Sequence, residues 1–189
     1  MIDYETYNKI NELILKRDFQ KLQEFVDKEK NKYYLEVARE SLLEYVKSSS
    51  SSLYAYIDDK LVISDGYTGF YILNSDELLN KDIRKYSLGP GTFAEKKLIV
   101  RVKNILNKTV EKCDLKVGEV APLREDKPIL LIGSEDGKVY HRFNRKLYEE
   151  SLKILGENTA VTINSEKDRP AFVAKSPKGL CFTAGIING

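Results

Sequence analysis

The chain has 189 residues, enough for one large domain that buries roughly 70% of the surface its unfolded state exposes. It carries 31 basic and 29 acidic side chains, and this net charge of +2 argues against a partner selected by overall charge. Any contact with nucleic acid therefore has to come from a local patch.

The sequence also indicates the cellular compartment in which we expect the protein. No apolar run approaches the roughly 20 residues that a membrane span needs, so we expect no membrane partner. The opening residues, MIDYETYNKI, lack the basic and apolar segments of a signal peptide. Cys113 and Cys181 have neither the spacing nor the partner histidines of a zinc site. We expect a cytoplasmic protein.

Apolar residues at helical spacing predict three helices near the start of the chain, at Asp3 to Arg17, Asp18 to Lys30 and Lys32 to Lys47. Ser48 to Ser52 should end the third helix, because serine competes for backbone hydrogen bonds and favours caps and loops. We interpret residues 1–31 as a helical N-terminal extension and residues 32–189 as the main domain.

The stretch from Leu53 to Leu73 predicts three short strands joined by tight turns at Asp58-Asp59 and Asp65-Gly66. Glycine supplies the positive φ that a two-residue hairpin turn requires. We therefore expect one strand to end at Ser64 and the next to begin at Tyr67.

The same order of elements occurs again near the C-terminus. Asn144 can cap a helix from Arg145 to Leu155, with Gly156 as its stop, and Thr159 to Ile187 contains three further strand-like runs. A repeated helix followed by three strands predicts an α+β fold of two helix-plus-antiparallel-sheet halves. We expect the helices at Lys32 to Lys47 and Arg145 to Leu155 to pack on the same side of the strands.

A helical insertion at about residues 75–127 separates the halves, followed by a hairpin around Glu135-Asp136-Gly137. Thr92 and Glu95 form a capping-box pattern that predicts a helix start. From Glu95 to Lys112 there are six basic and two acidic residues. The candidate nucleic-acid-binding residues lie off the apolar stripe of this helix. They are Lys96, Lys97, Arg101 and Lys103. The alternative is that these side chains form only a solvated helix face.

Residues that could perform bond chemistry are few. His141 is the single histidine, which excludes a two-histidine metal site, and no phosphate-binding glycine loop of the common types occurs. The carboxylate pairs Asp58-Asp59 and Glu135-Asp136 fall at predicted turns, where aspartate favours local hydrogen bonds. We therefore predict a protein that is not an enzyme and that has no cofactor and no metal.

Two segments resemble a known family. LVISDGYTGFYI, Leu61 to Ile72, resembles the strand–turn–strand of bacterial DNA polymerase III β-subunit sliding clamps, and Asp65-Gly66-Tyr67 fits the family's turn. The C-terminal part, with Phe143-Asn144 leading into a helix, looks like the end of the clamp's last domain. Together these segments cover about half of the chain, which has room for one such domain where the family has three. The family's Arg and Leu after the turn are replaced here by Thr68 and Gly69.

The resemblance implies a non-enzymatic clamp-like module, of phage or mobile-element type, that associates with DNA or recruits DNA-processing proteins. Its implied partners are duplex DNA, replication or repair proteins, and further copies of the chain. Asp65, Gly66 and Tyr67 would belong to the surface that receives partner peptides. The alternative is a protein-interaction or structural module that has the fold and does not encircle DNA.

Overall fold

The computed structural model describes residues 3–124, 128–166 and 168–186, and these residues form an α+β fold with five α-helices and nine β-strands. The helices are α1 (Tyr4–Leu15), α2 (Phe19–Lys47), α3 (Lys81–Lys85), α4 (Phe93–Lys108) and α5 (Arg145–Leu155), with a short 3₁₀ turn at Val110–Lys112. The strands are β1 (Leu53–Ile57), β2 (Lys60–Ser64), β3 (Gly69–Leu73), β4 (Leu115–Pro122), β5 (Ile129–Ser134), β6 (Tyr140–Asn144), β7 (Ala160–Ile163), β8 (Ala171–Ser176) and β9 (Gly179–Ala184).

The chain separates into two compact units, residues 1–37 and residues 38–189. The first unit contains α1 and the first part of α2. The prediction of two helices between Asp18 and Lys47 was wrong, because α2 is one continuous helix of 29 residues. The sequence of α2 contains no glycine or proline, and its polar residues around Glu29 to Lys32 are all tolerated inside a helix.

The second unit is organised by a sheet of antiparallel strands in the order β1-β2-β3-β9-β8-β7-β4-β5-β6. The order of elements α2-β1-β2-β3 returns as α5-β7-β8-β9, and β3 pairs with β9 where the two sets meet. Equivalent strands therefore lie at equal distances from the β3–β9 pair, and the predicted helix-plus-three-strand repeat is confirmed.

The two repeated helices lie on the same face of this sheet, as predicted. The ring of Tyr45 in α2 meets Tyr71 of β3 edge-on, with centroids 4.9 Å apart, and Tyr148 of α5 meets Phe172 of β8 at 5.6 Å. Tyr71 and Phe172 share a face because side chains alternate along paired strands. Lys146 of α5 also lies 3.5 Å from a carboxylate oxygen of Glu44 in α2.

The inserted helix α4 covers the opposite face. Its buried residues Leu98 and Val102 pack with Val62, Phe70 and Phe182 from the strands. Phe70 precedes Tyr71 in β3, so strand alternation directs the two side chains to different faces. The sheet is thus enclosed by helices of the repeat on one side and by the insertion on the other.

Two predictions about the strands were wrong in detail. β3 begins at Gly69, not at Tyr67, so residues 65–68 form a loop longer than a two-residue turn. The insertion predicted as helical at about residues 75–127 also contains the strand β4, and its short helix α3 was missed. β4 carries a bulge at Gly118, where a Cβ atom would lie 2.6 Å from Glu135 Cα, and this glycine weakens the strand pattern. Lys127 and Ile187, the predicted ends of the insertion and of the second strand set, lie outside the described residues.

Candidate nucleic-acid interface

The position of α4 is set by its first turn. The Thr92 hydroxyl accepts a hydrogen bond from the Glu95 backbone N–H at 3.2 Å, and the Glu95 carboxylate accepts one from the Gly91 N–H at 2.7 Å. This capping arrangement satisfies backbone donors that the helix itself leaves unpaired. With Leu98 and Val102 turned into the core, the charged residues of α4 face solvent.

A groove of about 660 Å³ runs along this solvent face. It is lined by Lys96, Lys97, Val100, Arg101, Asn104, Ile105, Lys108, Thr109 and Arg169. Five of these residues are basic, and none of the described residues that line the groove is acidic. The structure thus brings together three of the four predicted residues, Lys96, Lys97 and Arg101. Lys103 is exposed on the same helix but does not line the groove.

Sequence analysis missed Arg169, which lies 61 residues beyond Lys108 in the β7–β8 connection. The buried side chain of Asn164 holds this connection, since it donates to the Arg169 carbonyl at 2.6 Å and accepts from the Ala171 N–H at 3.1 Å. His141 Nε2 lies 3.0 Å from the Asn164 carbonyl oxygen, so the single histidine supports the same connection. No local pattern signals this placement, because it depends on the pairing of β3 with β9, which are more than 100 residues apart in the sequence.

Arg101 joins the two sites that the sequence predicted separately. Its guanidinium donates hydrogen bonds to the carbonyl oxygens of Gly66 and Tyr67. The predicted partner-binding loop therefore lies directly beside the basic groove.

Within that loop the three predicted residues have different environments. The buried carboxylate of Asp65 accepts hydrogen bonds from the N–H groups of Tyr67, Thr68 and Gly69 at 2.8, 2.9 and 3.1 Å. Gly66 adopts φ +85°. The side chain of Tyr67 is 68% exposed. Asp65 thus orders the loop from inside, and Tyr67 is the residue that a partner can contact.

The positive surface ends near the C-terminus of α4. Lys112 forms an ion pair with Glu166, and this hydrogen bond lowers the pKa of the Glu166 carboxyl. A neighbouring depression of about 670 Å³ mixes charges of both signs, with Glu111 and Asp168 among its acidic residues. Lys108 and Arg169 line both depressions, so they form the border between the positive groove and the surface of mixed charge. Polyanion contact is therefore favoured along the groove and opposed beyond these two residues.

The other groups that could perform chemistry, namely the two cysteines and the Asp58-Asp59 pair, lie in surroundings that suit a structural role. Burial raises the pKa of the Cys113 and Cys181 thiols to about 12, which keeps both protonated and unreactive. Asp58 and Asp59 form the β1–β2 turn with φ of 48° and 62°. Among the described residues, no group of three or more His, Cys, Asp or Glu side chains is arranged to hold a metal ion.

One buried carboxylate, Glu150 on α5, is not signalled by the sequence pattern of its helix. Its side chain is only 5% exposed, and neither carboxylate oxygen has a hydrogen-bond partner among the residues that the structure describes. The Lys146 Nζ atom lies 3.5 Å from the Oε1 atom of Glu150. Burial raises the pKa of the Glu150 carboxyl. This group lies on α5, away from the α4 groove.

Comparison with protein-family models, with curated proteins and with solved structures found no match for the chain. The resemblance to sliding clamps therefore stays a prediction from the sequence. In the described part of the chain, no helix has the length and apolar character of a membrane span.

Proposed function

We propose that this protein is a non-enzymatic module that binds the phosphate backbone of DNA along α4. The observation that carries the proposal is the groove with five basic and no acidic residues among those described. Lysine and arginine side chains attract phosphates without regard to base sequence, and release of counterions makes this attraction sensitive to salt. Arg169 adds a planar guanidinium that suits phosphate oxygens.

The length of α4 fits such a contact. Sixteen residues extend over about 24 Å, which corresponds to roughly seven phosphates along one strand. Lys96 lies near the beginning of the helix and Lys108 at its end, so the charges are distributed over most of this length. A backbone tracking the groove can therefore meet several of them at once.

The groove lies on a different face of the sheet from the one that meets DNA in sliding clamps. Clamp rings face DNA with their repeated helices, and these correspond here to α2 and α5, where Glu44 and Glu149 offset the basic residues. The basic groove lies on the other face of the sheet. The proposed contact with DNA therefore does not require encirclement.

Salt-dependent binding of the full chain to duplex DNA of mixed sequence tests this proposal. The variant Lys96→Gln/Lys108→Gln/Arg169→Gln removes three groove charges and leaves Arg101 to hold the loop. We expect weaker binding and a plot of log affinity against log salt that is flatter by up to about 0.9 for each phosphate that the variant no longer neutralises.

A charge-matched control separates the groove from general electrostatics. Lys81, Lys116 and Lys153 are exposed and lie outside both α4 and the groove, so their triple replacement by glutamine removes the same charge elsewhere. This control variant should retain most of the wild-type affinity for DNA and a similar slope of log affinity against log salt. If both triple variants bind alike, or if the wild type shows no affinity at low salt, the proposal is wrong.

A second candidate function is recruitment of a protein partner through the loop at residues 65–68. An exposed aromatic side chain on a rigid loop is typical of residues that anchor protein interfaces. Tyr67 meets that description, since Asp65 and Arg101 fix the backbone around it. Absence of DNA binding would favour this function, and Tyr67→Ser would then be the variant that abolishes partner binding.

A further inference from the structure

The N-terminal hairpin, residues 3–37, buries little of its apolar surface. A short turn at residues 16–18 joins α1 to α2, and in it the Asp18 N–H donates a hydrogen bond to the Leu13 carbonyl oxygen at 3.1 Å. Leu13 is the one large apolar side chain of these residues that is fully buried.

Seven large apolar side chains of the hairpin are between 42% and 84% exposed. They are Tyr4, Tyr7, Ile14, Leu15, Phe19, Val26 and Tyr33. Covering them completely would remove roughly 700 Å² from water. An interface of standard size buries about 800 Å² on each partner, so the apolar area of these side chains is comparable to what a stable dimer needs.

The exposed residues are also regularly spaced. Phe19, Val26 and Tyr33 follow one another at seven-residue intervals on α2, and Tyr7 and Ile14 do so on α1. A seven-residue spacing keeps side chains close to one line of a helix and supplies one of the two apolar positions of the heptad by which helices of separate chains pair.

We propose that the N-terminal hairpins of two copies of this chain pack against each other through these side chains, with the Phe19–Val26–Tyr33 line at the centre of the interface. The inference goes beyond DNA binding and does not depend on it, because it uses neither α4 nor the groove.

The charges of the hairpin favour a second copy over a membrane. Residues 1–37 contain seven basic and eight acidic side chains, so two copies do not repel strongly. Many of these charges are paired within one chain, as in the contacts of Glu12 with Lys9 at 3.1 Å and with Lys16 at 2.6 Å. Helices that bind anionic lipid surfaces carry an excess of basic residues, and this hairpin has none.

Sedimentation of the full chain over a wide concentration range tests the proposal. We expect a dimer for the wild type and a monomer for Phe19→Ser/Val26→Ser/Tyr33→Ser. The matched control, Leu88→Ser/Val120→Ser/Leu123→Ser, removes three exposed apolar side chains from the second unit and should remain dimeric. A wild type that is monomeric at all concentrations, or a hairpin variant that stays dimeric, overturns the proposal.

Cysteine cross-linking gives a second measurement that does not depend on disrupting the hairpin. Val26 is the middle residue of its line, so the two copies of Val26 should meet in either a parallel or an antiparallel pair. Because Cys113 and Cys181 are buried, a Val26→Cys chain has one accessible thiol among the described residues. We expect a disulfide-linked dimer under mild oxidation, and little for Lys103→Cys. Equal cross-linking at the two positions contradicts the proposed interface.

Discussion

The two faces of the sheet are covered by helices that differ in origin and in charge. On one face, α2 and α5 belong to the helix-plus-three-strand repeat and make aromatic contacts, of Tyr45 with Tyr71 and of Tyr148 with Phe172. On the other face, α4 comes from the insertion between the repeats and packs mainly through aliphatic side chains such as Leu98.

The fold and the candidate function therefore come from different parts of the sequence. The repeat generates the sheet and the helices that enclose one side of it, and the charges of those helices are mixed. The insertion contributes the helix whose outer surface concentrates basic residues. Changes on the repeat face should therefore alter stability, and changes on the solvent side of α4 should alter binding.

The largest effect should follow from Phe172→Ala on the repeat face. Phe172 is fully buried, with its ring 5.2 Å from Phe143 and 5.6 Å from Tyr148. We expect a loss of about 3–5 kcal/mol in the free energy of unfolding, measured with urea. Val173→Ala, on the α4 face, removes only two methyl groups and should cost roughly 2 kcal/mol.

The same variant tests the separation of stability from binding. Where Phe172→Ala remains folded, its affinity for DNA should equal that of the wild type, because the groove lies on the opposite face. Phe172→Leu is a milder change, and its affinity for DNA can be compared with that of the wild type if the alanine variant unfolds. Loss of DNA affinity in a folded Phe172 variant would contradict the independence of the two faces.

A smaller effect is expected at the loop beside the groove, from Gly66→Ala. Gly66 has φ +85°, and a Cβ atom there would lie 2.9 Å from the Ser51 carbonyl oxygen. Gly91 has φ +89° but no atom within 4 Å of the same position, so Gly91→Ala measures the backbone strain alone. We expect about 1 kcal/mol of destabilisation for Gly91→Ala and roughly 2–3 kcal/mol for Gly66→Ala. Equal denaturation midpoints would show that Ser51 moves aside without cost.

Local signals were sufficient for much of the fold. The bounds of α5, predicted as Arg145 to Leu155, are those observed, because Asn144 caps its first turn and Gly156 with φ +78° ends it. The start of α4 at the Thr92 cap was likewise predictable. Each of these features depends on residues within a few positions of one another.

What the sequence could not predict depends on distant contacts. Asp65-Gly66 has the composition of a two-residue turn, yet the Asp65 carboxylate orders a longer loop that Arg101 then fixes from α4. Arg169 reaches the groove only through strand pairing. Glu150 looks like a surface residue in its helix, and only the packing of α5 against its neighbours buries it.

The smallest effect, and the one that distinguishes the repeat face most directly, is a pH dependence from Glu150. Burial raises the pKa of its carboxyl, the charge of Lys146 opposes this shift, and the charge of Glu44 adds to it. Since the folded state holds the proton more tightly than the unfolded state, Glu150 stabilises the fold below its ordinary pKa of 4.5. That contribution is lost as the pH rises through the higher pKa of the folded state.

Glu150→Gln removes this titration and retains the shape of the side chain. The free energy of unfolding of the wild type, measured relative to Glu150→Gln by urea titration between pH 4 and pH 8, should therefore fall as the pH rises. Adding Lys146→Gln to both proteins should enlarge the fall, because the lysine charge no longer stabilises the ionised carboxylate. On the other face, Lys103→Gln should leave the difference unchanged. A difference that is flat across this range would mean that the Glu150 carboxylate is ionised in the fold as easily as in the unfolded chain, and the repeat face would then be no more sensitive to pH than the α4 face.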